Sequence, residues 1–175
     1  MEDQVTLVDE NDNEVGVDGK LAVHLSGKLH RAISVFVFDS LGRLLLQKRA
    51  AVKYHSAGLW SNTCCSHPRP DEHRLAAAHR RLKEEMGFDC PLLEVFSFIY
   101  RAHLPNGLIE HEYDYVFFAQ YDGEPDPDPE EVEDWKWMDM RALKNHVQTN
   151  PQDYTFWLAA CLDRVIACRD APPSL

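Results

Sequence analysis

A chain of 175 residues, 45% of them apolar, can bury a substantial core and reads as one domain over 1–175, while a formal charge of −11 leaves no basic footprint for nucleic acid or an anionic membrane. No run approaches the roughly 18 consecutive apolar residues of a membrane span, and the start Met1-Glu2-Asp3-Gln4 lacks the basic and apolar parts of a signal peptide. The five cysteines, at 64, 65, 90, 161 and 168, are odd in number and contain no C-x-x-C pair, so reduced thiols in a soluble, cytoplasmic protein are expected.

In chain order, Val5 to Val8 and Glu14 to Val17 flank the turn-rich Asp9-Glu10-Asn11-Asp12-Asn13 and predict a hairpin. Ala32 to Phe38 and Leu44 to Arg49 predict a second, closed by Asp39-Ser40-Leu41-Gly42-Arg43. A loop then runs through Gly58, and a short strand starts at Trp60. From Glu72 to Met86, Leu75, Ala78, His79, Leu82 and Met86 follow the spacing of a helix that Gly87 can close. Strands are predicted over 92–102 and 108–120, joined by the Asn106-Gly107 turn. An acidic, proline-broken loop covers 121–131, a strand 133–138, and helices 140–150 and 153–169, with Pro151 at the break. The tail 170–175 is expected to fray. Hairpins with segregated helices indicate an α+β or mixed-sheet α/β domain.

The chemistry concentrates in the strand around Leu108 to Phe117. Side chains alternate between faces there, so Glu110, Glu112 and Asp114 share one. Carboxylates roughly 7 Å apart repel by about 2 kcal/mol at an effective dielectric near 20, and something cationic should sit among them. Cys65 and His67 lie on a turn just ahead of the charged helix, which suggests a metal-assisted acid–base site. On that helix Arg74, Arg81 and Glu85 fall on one flank.

The run Ser66-x5-Glu72-x7-Arg80-Arg81-Leu82-Lys83-Glu84-Glu85-Met86-Gly87-Phe88 resembles the Nudix box, G-x5-E-x7-R-E-U-x-E-E-x-G-U, with Ser66 in place of the leading Gly and Arg81 in place of a glutamate. Trp60-Ser61-Asn62-Thr63-Cys64-Cys65-Ser66-His67-Pro68, Tyr100-Arg101-Ala102, Glu110-His111-Glu112 and the segment Lys20-Leu21-Ala22-Val23-His24 narrow the resemblance to the type I isopentenyl-diphosphate isomerases, across about residues 5–160. That resemblance implies a Nudix fold, a mixed sheet sandwiched between helices, with a core of about 30–160 and an N-terminal extension, 1–29, that contributes to the site. His24 and His30 stand six apart, one fewer than the family spacing.

The same resemblance implies the site. His24, His30, His67, Glu110 and Glu112 would hold a divalent ion, and mixed nitrogen and oxygen donors suit Zn, Mn or Fe. The other histidines, His55 among them, keep an ordinary surface or core reading. Lys20, Arg49, Lys53 and Arg81 would bind a diphosphate, with Mg on Glu85 and the backbone carbonyl of Cys65. Glu112, hydrogen-bonded by Tyr100, and Cys65 would carry the protons of a double-bond shift from isopentenyl to dimethylallyl diphosphate. Which residue acts in which direction stays open. Trp157 either faces the developing cation or is a core tryptophan. Of the two adjacent thiols only one can enter the site, and the family frame selects Cys65. No flavin or nicotinamide is implied, and the expected partner is a small diphosphate, bound by a monomer or weak homodimer. The alternatives are a Nudix pyrophosphohydrolase and a non-catalytic Nudix binding domain.

Overall fold

Nine strands join in one sheet in the computed structural model, which describes residues 3–171. The first hairpin forms as expected, β1 (Gln4–Val8) against β2 (Glu14–Gly19). A seven-residue helix that the sequence did not announce, α1 (Lys20–Ser26), follows at once. Gly27 stops it in a left-handed conformation (φ 68°), and β3 (His30–Phe38) begins three residues later.

Strand β3 is the organising element because its run of apolar residues is buried on both faces. Ile33, Val35 and Val37 face one way, and Phe36 and Phe38 the other. The expected hairpin with β4 (Leu44–Arg49) survives only at its closed end, Phe38 opposite Leu44. Beyond that pair the strands part. The edge of β3 is taken by β6 (Cys64–Ser66), and β4 pairs instead with β5 (Trp60–Ser61) and β9 (Val132–Met138). On its other edge β3 runs parallel to β8 (Ile109–Gln120), setting His30 opposite Glu112 and Ala32 opposite Asp114. Strand β7 (Leu93–His103) completes that side as the hairpin partner of β8.

Helices cover both faces. The Nudix-like segment forms α2 (Arg74–Met86), which starts two residues later than expected, with His73 as its N-cap. It lays Ala78, Leu82 and Met86 on Ile33, Val35, Val37 and Cys64. Opposite, α3 (Met140–Thr149) and α4 (Phe156–Asp170), linked by a single 3-10 turn at Pro151–Asp153, pack Leu143, Leu158, Leu162 and Val165 on Phe36, Phe38, Leu44 and Val116. Each such aliphatic side chain, fully buried, contributes about 1.5–3 kcal/mol. Asp170 ends α4 rather than beginning a frayed tail, and 172–175 lie outside the described residues. No described helix is long and apolar enough to cross a membrane.

Candidate active site

Four elements bring the predicted imidazoles and carboxylates together: α1 carries His24, the start of β3 carries His30, the residue after β6 is His67, and β8 carries Glu110 and Glu112. Pairing on β3 places His30 beside Glu112, and Gly27 makes the short interval to His24 work. Its backbone reverses direction where an added Cβ would sit 3.0 Å from Ile109, so the glycine allows α1 to close against β8. The His24 and His30 rings lie 5.0 Å apart, the missing residue notwithstanding. Donor atoms of His24, His30, His67 and Glu112 all fall within 4.8 Å of one another. Glu110 borders this group through His24, its Oε2 standing 3.3 Å from Nε2. Asp114, expected on the same face, is not part of it, because its Oδ2 accepts a 2.7 Å hydrogen bond from Ser34.

The donor chemistry fits a divalent ion. His24 Nδ1 is 2.6 Å from the carbonyl of Lys20, and His30 Nδ1 is 3.0 Å from that of Lys28. A carbonyl only accepts, so both Nδ1 atoms carry hydrogen, and each ring in its neutral form turns an Nε2 lone pair to the cluster. The His30 Nε2 lone pair then faces His67 Nε2 at 3.2 Å and Glu112 Oε1 at 3.6 Å. His67 Nε2 also stands 2.9 Å from that oxygen, so three nitrogen and oxygen donors converge on a space that a divalent ion would suit. His24 Nε2 and Glu110 Oε2 are indeed buried without any hydrogen-bond partner. Burial pushes His67 down to about 3 against the pull of Glu112, which keeps its imidazole neutral and able to ligate. For His24 burial works the same way, but the Glu110 carboxylate prevails and raises its pKa. Burial would likewise raise Glu112, yet His30 and His67 hold it well below the usual carboxylate range.

A cleft opens beside the cluster where β3 and β4 diverge. Cys65, Trp157, Arg49, Lys53, Arg81 and Glu85 are among its lining residues. Cys65 pairs with Ser34 and its thiol reaches the cleft, 3.8 Å from Ser61 Oγ and 4.0 Å from Arg49 Nη1, whereas Cys64 is fully buried under α2. Burial pushes the Cys65 thiol up to about 12. Tyr100 donates a 2.6 Å hydrogen bond to Glu112 Oε2, as expected. Trp157 is buried, as its core reading expects; it donates 3.0 Å to Ser61 Oγ, and it also lines the cleft with the Arg49 guanidinium 5.3 Å from its ring centroid. Lys20 stands near Lys53, Arg81 and Arg49, and burial followed by these cations lowers its pKa. Glu85 is buried, accepting from Arg81 at 2.7 Å and from Gln47 at 2.8 Å.

A NUDIX domain matches residues 28–158. The chain is 65% identical to isopentenyl-diphosphate Delta-isomerase 1 of Aromatoleum aromaticum, over 97% of this chain and 96% of that protein. The chain belongs to the isopentenyl-diphosphate Delta-isomerase family, built on a Nudix domain. Identity to another member, isopentenyl-diphosphate Delta-isomerase 2 of Photorhabdus laumondii, is 57% over 90% of this chain and 89% of that one. The crystal structure of DR0079 from Deinococcus radiodurans shares the fold at a TM-score of 0.79 and 18% identity, covering 93% of this chain and 98% of that chain.

Two residues of this isomerase-family site escaped the sequence reading. His55, taken as an ordinary histidine, is buried with Nε2 3.3 Å from Glu110 Oε1. Burial, and then Arg49, pushes it down to about 2. Glu131 ends the acidic loop and pairs with Lys53 and, at 3.3 Å, with Arg81. The loop arrives there because Asp126 and Asp128 donate their backbone N–H groups to the carbonyls of Met86 and Glu85 at the end of α2, both at 3.1 Å. Neither residue lay in a periodic segment, so no pattern pointed inward.

Proposed function

We propose that the chain interconverts isopentenyl and dimethylallyl diphosphate, with Glu112 and Cys65 moving the two protons that shift the double bond. An alkene is a weak base, and its protonation creates positive charge at a tertiary carbon. The site must therefore present an acid in a water-poor pocket and stabilise that charge. The observation that carries the reading is a buried carboxylate, fixed by Tyr100 and 2.9 Å from His67 Nε2, behind a cleft that His67, Cys65 and several cations line.

Lys20, Arg49, Lys53 and Arg81 would bind the diphosphate, and Glu85 with the Cys65 carbonyl would hold a Mg ion that neutralises it. Arginines supply forked donors and lysines point charges. Trp157 offers a ring face toward the developing cation, an interaction of about 2 kcal/mol when desolvated. His24, His30, His67, Glu110 and Glu112 would hold a second divalent ion, Mn or Zn by donor type. When bound, that ion supplies positive charge that orients the Glu112 carboxyl group and adjusts its acidity. Tyr100 holds the other oxygen of Glu112, so that the carboxyl keeps one orientation as its proton is exchanged. On this reading the protein acts in the cytoplasm on a small diphosphate, as a monomer or weak homodimer.

A pyrophosphohydrolase would need the glutamate that Arg81 replaces, and Arg81 is instead engaged by Glu84, Glu85 and Glu131. Purified protein incubated with isopentenyl diphosphate and Mg is expected to yield dimethylallyl diphosphate. Absence of that product, with nucleoside monophosphate released from nucleoside diphosphate derivatives, would replace this reading by the hydrolase.

A further inference from the structure

Glu110 is faced from two sides. His24 Nε2 lies 3.3 Å from Oε2, and His55 Nε2 lies 3.3 Å from Oε1. The His24 and His55 rings stack at 5.4 Å, and Tyr54 meets His55 edge-on at 4.5 Å, so the second imidazole is held in place on two sides. A third restraint comes from its backbone, whose carbonyl accepts from Arg49 at 3.3 Å. We propose that His55 is a positioning residue of the metal centre: it donates from Nε2 to Glu110 Oε1 and so aims Oε2 toward His24 and the ion.

Geometry and valence favour this role over direct ligation. His55 and Glu110 both lie outside the four mutually close donors His24, His30, His67 and Glu112, and they join that group only through His24. A separate ion held by His55, Glu110 and His24 would compete with the main group for the single free lone pair of His24, since Nδ1 of that ring is committed to the Lys20 carbonyl. An N–H donor, by contrast, gives Oε1 a partner without drawing on any ligand. Outer hydrogen bonds of this kind orient ligating groups, and their removal typically weakens metal affinity by about 10- to 100-fold.

The inference rests on the proposed metal site, and manganese binding tests the two separately. Metal-free protein is titrated with Mn²⁺ and free ion is read by electron paramagnetic resonance, while pulsed measurements count the coupled imidazole nitrogens. His55→Ala is expected to weaken Mn²⁺ binding about 10- to 100-fold, His55→Gln to restore most of it through its amide N–H, and the imidazole count to stay unchanged in both. Because the Gln variant keeps side-chain bulk and a donor, it also covers the case in which the Ala variant folds poorly. Binding by His55→Gln as weak as a ligand-removal variant such as His24→Ala, binding by His55→Ala as tight as the parent, or loss of one imidazole on substitution of His55 would each overturn the positioning role. A parent protein that takes up no Mn²⁺ would overturn the metal site itself.

Discussion

The imidazole–carboxylate cluster and the cationic rim of the cleft lie side by side, yet the chain satisfies them differently. On the rim, Lys53 and Arg81 are both met by Glu131, and Arg81 also by Glu84 and Glu85, so the protein supplies counter-charge to these two cations, although Nε of Arg81 and of Arg49 is buried without a hydrogen-bond partner. In the cluster, His24 Nε2 and Glu110 Oε2 are buried without partners. On the proposed reading the acids that meet Lys53 and Arg81 stand where the diphosphate is to arrive. On the same reading the cluster is completed by an added cation. One region is built for exchange and the other for retention.

The largest effects should follow from substitutions where the two regions meet. Cys65→Ala and Glu112→Gln are each expected to lower turnover of isopentenyl diphosphate by about 10²–10⁴-fold, the range of a lost proton-transfer group, with circular dichroism unchanged. Near-normal rates in either variant would separate that residue from the chemistry.

Removing divalent ions should distinguish retention from exchange. At a free Mn²⁺ concentration about 100 times Kd, binding to the folded state alone adds about 2.7 kcal/mol, or about 5–10 °C in Tm for a domain of this size. Thermal unfolding with excess chelator, then with Mn²⁺, measures this. An unchanged Tm would place the cluster in the same class as the rim.

On the rim the effect should be smaller and of opposite sense. Glu131→Gln frees Lys53 and Arg81 from a carboxylate whose pKa those cations lower against its burial. Binding of inorganic diphosphate should tighten by up to about tenfold, equivalent to roughly 1.4 kcal/mol. Weaker binding in calorimetry would mean that Glu131 assists the anion rather than standing in for it.

The contrast also explains what the sequence revealed. Alternation along β8 put Glu110 and Glu112 on one face, and helical spacing placed Glu85 and Arg81 together, because these depend only on local period. The parallel register that sets His30 beside Glu112 depends on which strand lies next to β3, and no local pattern encodes it. The hairpin expected over 32–49 failed for the same reason, since β6 and β9 compete for its edges. Helix α1 went unseen because it is one short stretch with no side-chain cap and with Leu21 and Leu25 left exposed. His55 sits in a loop, and its partner Glu110 is far along the chain.

The smallest expected effect separates two adjacent arginines of α2. Arg81 faces the rim, whereas Arg80 grips Glu72 with two hydrogen bonds of 2.7 Å, both side chains partly buried. Arg80 thereby holds the Glu72 carboxyl below its usual range, burial opposing and the backbone N–H of Arg69 assisting. A carboxylate with a lowered folded pKa stabilises the protein at pH above its unfolded value, and the contribution fades as pH falls through the folded value. Glu72→Gln should therefore cost about 1 kcal/mol at pH 7, and the difference from the parent should shrink as the pH is lowered below about 4. Urea unfolding of both proteins across that range measures it, with Mn²⁺ affinity expected to stay constant at pH 7. A gap that persisted undiminished in acid would mean that Glu72 acts by packing rather than by charge.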